Sequence, residues 1–115
     1  MAIGIRTDPR TTVEEMDALV DVHAAVQRHW NTDNVVIMGD LNADCSYASG
    51  RAREGLELRK DPQFLWLIGD DVDTTVTSSD CAYDRCAHVY GEFLLSLQSK
   101  IVRSFIYFSM EEVAL

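Results

Sequence analysis

At 115 residues the chain is one domain or a piece of one, with room for a single core that buries roughly two-thirds of the surface an unfolded chain exposes. Its 47% hydrophobic and 25% charged residues argue against disordered, collagenous and coiled-coil classes, and no apolar run approaches the roughly 20 residues of a membrane span. With 19 acidic against 10 basic side chains the net charge is −9, which repels a polyanion unless a metal ion or local arginines reverse the sign at one place.

Ala2 to Arg6 reads as a short strand closed by the turn-prone Thr7-Asp8-Pro9. A helix is predicted next: Thr12 and Glu15 stand at capping-box spacing, Glu14 and Glu15 suit a first turn, and Arg28 and His29 suit a last one. Met16, Leu19, Val20, His23, Val26 and Trp30 recur at i, i+3, i+4 and make the stripe that such a helix buries. After the polar break at 31–34, Val35-Val36-Ile37-Met38 is too short for a helix and rich in β-branched residues, which predicts a central strand buried on both faces. Gly39 ends it, and Asp40-Leu41-Asn42 emerges where a rigid scaffold meets solvent.

A short helix is expected between Arg51 and Arg59, weakened by Gly55. Phe64 to Ile68 predicts another strand, and Asp73 to Thr77 an extended polar segment. Ala82 to Tyr90 and Glu92 to Leu97 predict two strands that turn at Gly91. From Ser99 onward the chain is apolar enough to pack, and Met110 to Leu115 reads as the start of a helix cut short, the mark of a piece of a larger domain. Met1 to Ile5 lacks the basic and apolar stretches of a secretory signal, so the protein stays inside cells or its true beginning is missing. Alternating strands and helices put the fold class at α/β or α+β.

On an extended segment Asp40 and Asn42 project to one side while Leu41 points inward. A carboxylate beside an amide suits a hard cation and a phosphate oxygen, and the same tripeptide also serves as a plain turn bonded to its own backbone. Asp84, between Tyr83 and Arg85, reads either as half of a surface ion pair or as a carboxylate that orients a histidine behind a general base. Asp73, Thr75 and Thr77 alternate along one face; such oxygens can gather calcium, and they equally make an exposed strand face. His23 falls on the helix stripe as a satisfied core residue, His29 falls at the helix end, His88 is ambiguous, and none follows a catalytic spacing. Cys45, Cys81 and Cys86 permit at most one internal bridge, and three buried reduced thiols fit the same count.

Four ordered motifs carry a resemblance. Gly39-Asp40-Leu41-Asn42-Ala43-Asp44-Cys45-Ser46-Tyr47, Phe64-Leu65-Trp66-Leu67-Ile68, Asp73-Thr74-Thr75-Val76 and Cys81-Ala82-Tyr83-Asp84-Arg85 resemble the deoxyribonuclease I family of the endonuclease/exonuclease/phosphatase superfamily, at matching separations. The likeness takes in Leu19 to Trp30, fades after about Glu92 and returns at Glu111 to Leu115. It implies a secreted protein that hydrolyses DNA phosphodiester bonds with Mg2+ and Ca2+ as cofactors. Asp40 then falls on the aspartate that holds the metal or the attacking water, Asn42 on the contact to the scissile phosphate, and Asp84 on the aspartate that orients a catalytic histidine. Arg6, Asn42 and Tyr47 become substrate contacts; Asp73, Thr75 and Thr77 become a structural calcium loop, and Cys45 and Cys81 a structural disulfide. The implied fold is a four-layer α/β/β/α sandwich of two facing sheets, with residues 1–115 as the C-terminal part of the domain, truncated at both ends. One sheet without its mate leaves an apolar face open, which predicts self-association.

Two departures weigh against full activity. Arg6 stands where the family carries a catalytic histidine, and a guanidinium can clamp a phosphate but keeps its proton at any working pH. The second histidine, in a Ser-Asp-His motif, would fall beyond Leu115, and the acidic metal ligand of the N-terminal half is absent as well. General acid and base catalysis is worth about 10²- to 10⁴-fold, so a weak or inactive nuclease is expected. The competing readings are another phosphoesterase of the superfamily and a noncatalytic remnant that binds DNA, metal or a partner; the cysteine pair and the Cys81 to Arg85 segment favour the nuclease.

Overall fold

The computed structural model describes residues 1–89. In chain order they form β1 (Ala2–Gly4), α1 (Thr12–Trp30), β2 (Val36–Asp40), α2 (Gly50–Gly55), α3 (Glu57–Lys60), β3 (Phe64–Trp66) and β4 (Asp84–Val89). The strands make one sheet in the order β1-β2-β4-β3. β1 runs parallel to β2, and α1 supplies the crossover that a parallel pair requires. β4 runs antiparallel to both β2 and β3. The expected mixture of helices and strands is therefore present, in a mixed sheet.

The helix starts as its sequence pattern indicates, with the cap shifted by one residue. Thr11 is the N-cap; its hydroxyl donates to Glu15 Oε1 at 2.6 Å, and the same oxygen accepts the Asp8 N–H at 3.0 Å. Thr12 is buried, with its hydroxyl donating to the Asp8 carbonyl at 3.1 Å. Asn31 ends the helix in the left-handed region, φ 48°. Met16, Leu19 and His23 of the expected stripe are buried, whereas Trp30 is 54% exposed. A 19-residue helix is about 28 Å long and the five-residue β2 about 17 Å, so the last turn overhangs the sheet.

Toward α1 the sheet buries Ile37 and Phe64 against Met16, Leu19, Leu41, Ala43, Leu56 and Leu58. On the opposite face Leu67, Ile68 and Cys86 gather Val36, Met38 and Val72. β2 is thus covered on both faces as expected, fully at Ile37 and partly at Val36 and Met38. The helix expected over 51–59 is two short helices broken at Leu56, whose ψ of 136° is extended; Ser49 Oγ caps the first by accepting the Ala52 N–H at 3.3 Å. Only β4 of the two strands expected beyond Ala82 lies within the described residues. The second strand, its turn at Gly91 and the tail lie outside them.

Beyond Gly4 the β1–β2 ladder continues through Ile5 N–H to the Met38 carbonyl at 3.1 Å and Thr7 N–H to the Asp40 carbonyl at 3.0 Å. Gly39 sits inside this ladder at φ 144°, where a Cβ would lie 1.9 Å from the Ile5 carbonyl oxygen. Only glycine lets the two chains approach at this level, and the approach brings Arg6 beside Asp40.

Candidate functional site

β2 ends at Asp40 and β4 begins at Asp84, and the register makes the two residues direct Cα partners. Counting alternately from Ile37, both fall on the face away from α1. Asp40 Oδ1 accepts the Asn42 N–H at 3.1 Å, and Oδ2 lies 3.8 Å from Arg6 Nε. The Asp84 N–H donates to Thr74 Oγ1 at 3.0 Å, and the Thr74 hydroxyl donates to the Cys81 carbonyl at 3.3 Å. Like charges directly opposite on neighbouring strands are destabilising unless other groups offset them. Arg6 supplies part of that offset.

Asn42 does not stand beside Asp40 as alternation predicts. The strand stops at Asp40, and Asn42 at φ 45° turns its side chain inward to 6% exposure. Its Nδ2 donates to the Thr7 carbonyl at 2.9 Å and lies 3.3 Å from Thr7 Oγ1. The amide expected to meet a phosphate fixes the residue next to Arg6. Leu41 is fully buried, as expected.

The exit loop of β2 is tied to the entry of β4. Leu41 N–H and Ala43 N–H both donate to the Tyr83 carbonyl, at 3.0 and 3.4 Å. Cys45 and Cys81 form a disulfide with their Cα atoms 6.0 Å apart, which closes the same junction. Cys86 stays a free buried thiol, pushed up to about 11 by burial. At the rim the Tyr47 ring, 41% exposed, lies 5.5 Å from the Tyr83 ring. Burial raises the Tyr83 hydroxyl above its ordinary value, and Tyr47, Asp44 and Asp40 push the same way.

A buried charge network underlies this junction. Arg85 has no exposed surface; it donates to the carbonyls of Ile68 and Ala43, both at 3.0 Å, and pairs with Asp70 at 2.8 Å. Burial lowers its pKa, against the pull of Asp70. Asp44 pairs with Arg53 and accepts the Ala82 N–H at 2.9 Å. Burial would raise the Asp44 carboxyl, but the N–H groups of Ala82 and Cys45 with Arg53 and Arg85 hold it below its usual range. A surface pair of Asp84 with Arg85 is ruled out, because strand neighbours face opposite sides and Arg85 faces inward. Thr7, Thr74, Asp44, Arg53 and Asp70 were not singled out by sequence reasoning, and Arg85 was read only as half of a surface pair. One signal was available: an arginine inside the strand predicted over Ala82 to Tyr90.

Asp73, Thr75 and Thr77 lie in the loop before β4 with their oxygens turned on neighbours. Asp73 Oδ1 accepts the hydroxyl and the N–H of Thr75 at 2.7 and 2.8 Å, and these bonds hold its carboxyl below the usual range. Thr75 Oγ1 also lies within hydrogen-bond reach of the Ser79 carbonyl, and Thr77 Oγ1 accepts the Ser79 N–H at 3.3 Å. His23 packs edge-on against Phe64 at 4.9 Å, and its Nε2 has no hydrogen-bond partner among the described residues, so it is a core histidine but not a fully satisfied one. His29 packs on Trp30 at the helix end, 4.3 Å between ring centres. His88 is buried four residues along β4 from Asp84, about 13 Å at strand rise.

Among the described residues no group of three or more His, Cys, Asp or Glu side chains is arranged to hold a metal ion. The donors at Asp40 and Asp84 are nonetheless of the right kind for Mg2+, which is held through one or two carboxylates while water and phosphate complete its shell. Among the described residues no helix is long and apolar enough to cross a membrane.

The sheet and its paired strand-end carboxylates define a mixed α/β protein with an oxygen-rich edge where two central strands meet. Residues 3–92 match the endonuclease/exonuclease/phosphatase family, and the chain belongs to that family. Its motif-level resemblance to the deoxyribonuclease I group is borne out by individual relatives. The chain is 51% identical over 84 residues to deoxyribonuclease gamma of Mus musculus, covering 72% of this chain and 27% of that protein. It is 46% identical over 83 residues to deoxyribonuclease-1 of Oryctolagus cuniculus, covering 72% and 30%. Deoxyribonuclease-1 of Bos taurus is 43% identical over 94 residues, covering 82% and 33%. The aligned part thus spans about a third or less of the length of these relatives.

Proposed function

We propose that this chain carries one wall of the active site of a divalent-metal-dependent endodeoxyribonuclease that hydrolyses DNA phosphodiester bonds. The observation that carries the reading is the register pairing of Asp40 with Asp84 at the adjoining ends of the two central strands. Relatives named deoxyribonucleases favour DNA over the substrates of other phosphoesterases in the family. Asp40 would hold Mg2+, an ion that offsets charge building on phosphate oxygens, and Asp84 beside it would orient a catalytic histidine. Arg6, on the open side of Asp40, clamps a phosphate oxygen, and the exposed Tyr47 ring borders the same edge. Asn42 contributes by holding Thr7, and so Arg6, in place. Asp73, Thr75 and Thr77 would take Ca2+ by exchanging their mutual hydrogen bonds for the ion, steadying the loop whose Thr74 holds the Asp84 backbone.

Proton transfer at neutral pH needs a general base, and a guanidinium in place of a histidine does not supply one. The chain by itself is therefore weakly active or inactive. In the four-layer α/β/β/α sandwich that we infer, residues 1–115 form the C-terminal part of one domain, and a second sheet covers the face bearing Val36 and Met38. That face would support self-association when uncovered. Secretion accords with the Cys45–Cys81 bridge, since disulfides persist in oxidising compartments.

A second reading, a noncatalytic remnant that binds DNA or metal, is favoured by the Arg6–Asp40 contact. Supercoiled plasmid nicking with Mg2+ and Ca2+ separates the two, using wild type, Asp40→Ala and Asp84→Ala. Slow metal-dependent nicking lost in both variants supports the nuclease. No nicking by wild type, with metal and DNA binding retained, supports the remnant.

A further inference from the structure

We infer that Arg6 and a divalent cation compete for Asp40, so that metal binding releases Arg6 to a phosphate group and couples the two ligands. The inference rests on the metal role proposed above for Asp40. Arg6 Nε lies 3.8 Å from Asp40 Oδ2, and the two side chains are 82% and 38% exposed. A single contact of that length between exposed groups is weak.

Arg6 also lines an open depression with Thr7, Asp8, Pro9 and Arg10. Of its two arginines, Arg10 is held: its Nε and Nη2 donate to the two carboxylate oxygens of Asp8, and its backbone N–H donates to Oδ1 at 2.9 Å. Such a bidentate, charge-assisted pair is the stronger kind. Arg6 is therefore the guanidinium free to change partner. Its backbone need not move, because the following residue is anchored through Thr7 N–H to the Asp40 carbonyl at 3.0 Å and through Asn42 Nδ2 to the Thr7 carbonyl at 2.9 Å.

A divalent ion places twice the charge of a guanidinium on the same carboxylate, and a like charge at that position drives Arg6 toward the depression. There its planar set of donors matches the oxygens of a phosphate. Linkage makes the effect reciprocal: whatever factor the metal adds to phosphate affinity, phosphate adds to metal affinity.

The test uses the full chain at low ionic strength, with Mn2+ binding read by electron paramagnetic resonance and inorganic phosphate binding by equilibrium dialysis. Arg6→Gln should bind Mn2+ about three- to tenfold more tightly than wild type, the scale for removing one unit charge beside an exposed site. Arg28→Gln, the same change in net charge at the far end of α1, should leave Mn2+ affinity unchanged. Without metal, Asp40→Asn should bind phosphate more tightly than wild type, and the double variant Arg6→Gln/Asp40→Asn should lose that gain. Circular dichroism confirms that each variant folds. Mn2+ affinity that is unchanged or weaker in Arg6→Gln, with binding abolished in Asp40→Asn, overturns the competition and leaves the metal role standing. A wild type that takes up no Mn2+ overturns both.

Discussion

Gly39→Ala should cost far more than an ordinary glycine-to-alanine change. At φ 144° the added methyl stands 1.9 Å from the Ile5 carbonyl oxygen, a backbone atom with no rotamer to escape into. Relief requires either a different backbone conformation at residue 39 or separation of β1 from β2. Holding a non-glycine residue in such a region costs about 1–3 kcal/mol. Separation instead endangers the ladder bonds Ile5 N–H to Met38 and Thr7 N–H to Asp40, at about 1 kcal/mol each. The expected loss is roughly 1–3 kcal/mol, whichever route is taken, read from equilibrium urea unfolding followed by tryptophan fluorescence. Gly55→Ala is the control: a Cβ there meets nothing within 4 Å, and the change should stabilise by about 0.4–1 kcal/mol. A loss under about 1 kcal/mol at Gly39, within reach of an ordinary substitution, would refute the close-approach argument.

Removing the Cys45–Cys81 bridge by a double serine substitution frees a loop of 36 residues' separation, and the chain-entropy model puts the loss near 4 kcal/mol; unchanged urea midpoints in the variant would contradict it. Burial holds His23 and His88 below the ordinary imidazole value of 6.5, so the unfolded chain takes up protons first as pH falls. Stability should be complete above about pH 6.5 and decline below it, at no more than about 1.4 kcal/mol per pH unit for each histidine. Urea midpoints between pH 7.5 and 5 measure this decline, and an equal slope in His23→Gln would remove His23 from the account. DNA affinity, measured by fluorescence anisotropy at low salt, should fall sharply when EDTA strips divalent ions; tight binding in EDTA would contradict the electrostatic argument.

What the sequence discloses and what it hides divide along local and nonlocal lines. α1, β2 and β4 are legible because each follows from the period of its own residues, and Asp40 and Asp84 are legible as polar residues at the ends of apolar runs. Their meeting is not. It depends on β2 and β4 pairing antiparallel across more than forty intervening residues, which no local pattern specifies. The same distance conceals Thr74 and Thr7, which act through bonds to residues 10 and 35 positions away. Asn42 escapes for a different reason: alternation assumes that a strand continues, and asparagine is among the few residues that leave it easily through positive φ.

Charge placement ties the acidic composition to the candidate site. Arg10 is paired with Asp8, Arg53 with Asp44, and Arg53, Arg59 and Arg85 gather on Asp70. These positive charges consolidate loops and the strand junction, and contribute little to the outward field. A chain with net charge −9 thus presents its carboxylates outward and holds much of its arginine in pairs. Arg6 differs from these: it is exposed, weakly paired and beside the register-matched aspartates. A polyanion that approaches this edge meets the Asp40 carboxylate beside that guanidinium on a chain of net charge −9, and under the proposed reading a divalent ion held there would turn repulsion into attraction. The metal would then act as a condition for binding as well as a participant in the reaction, because without it the sign of the field at the site is wrong.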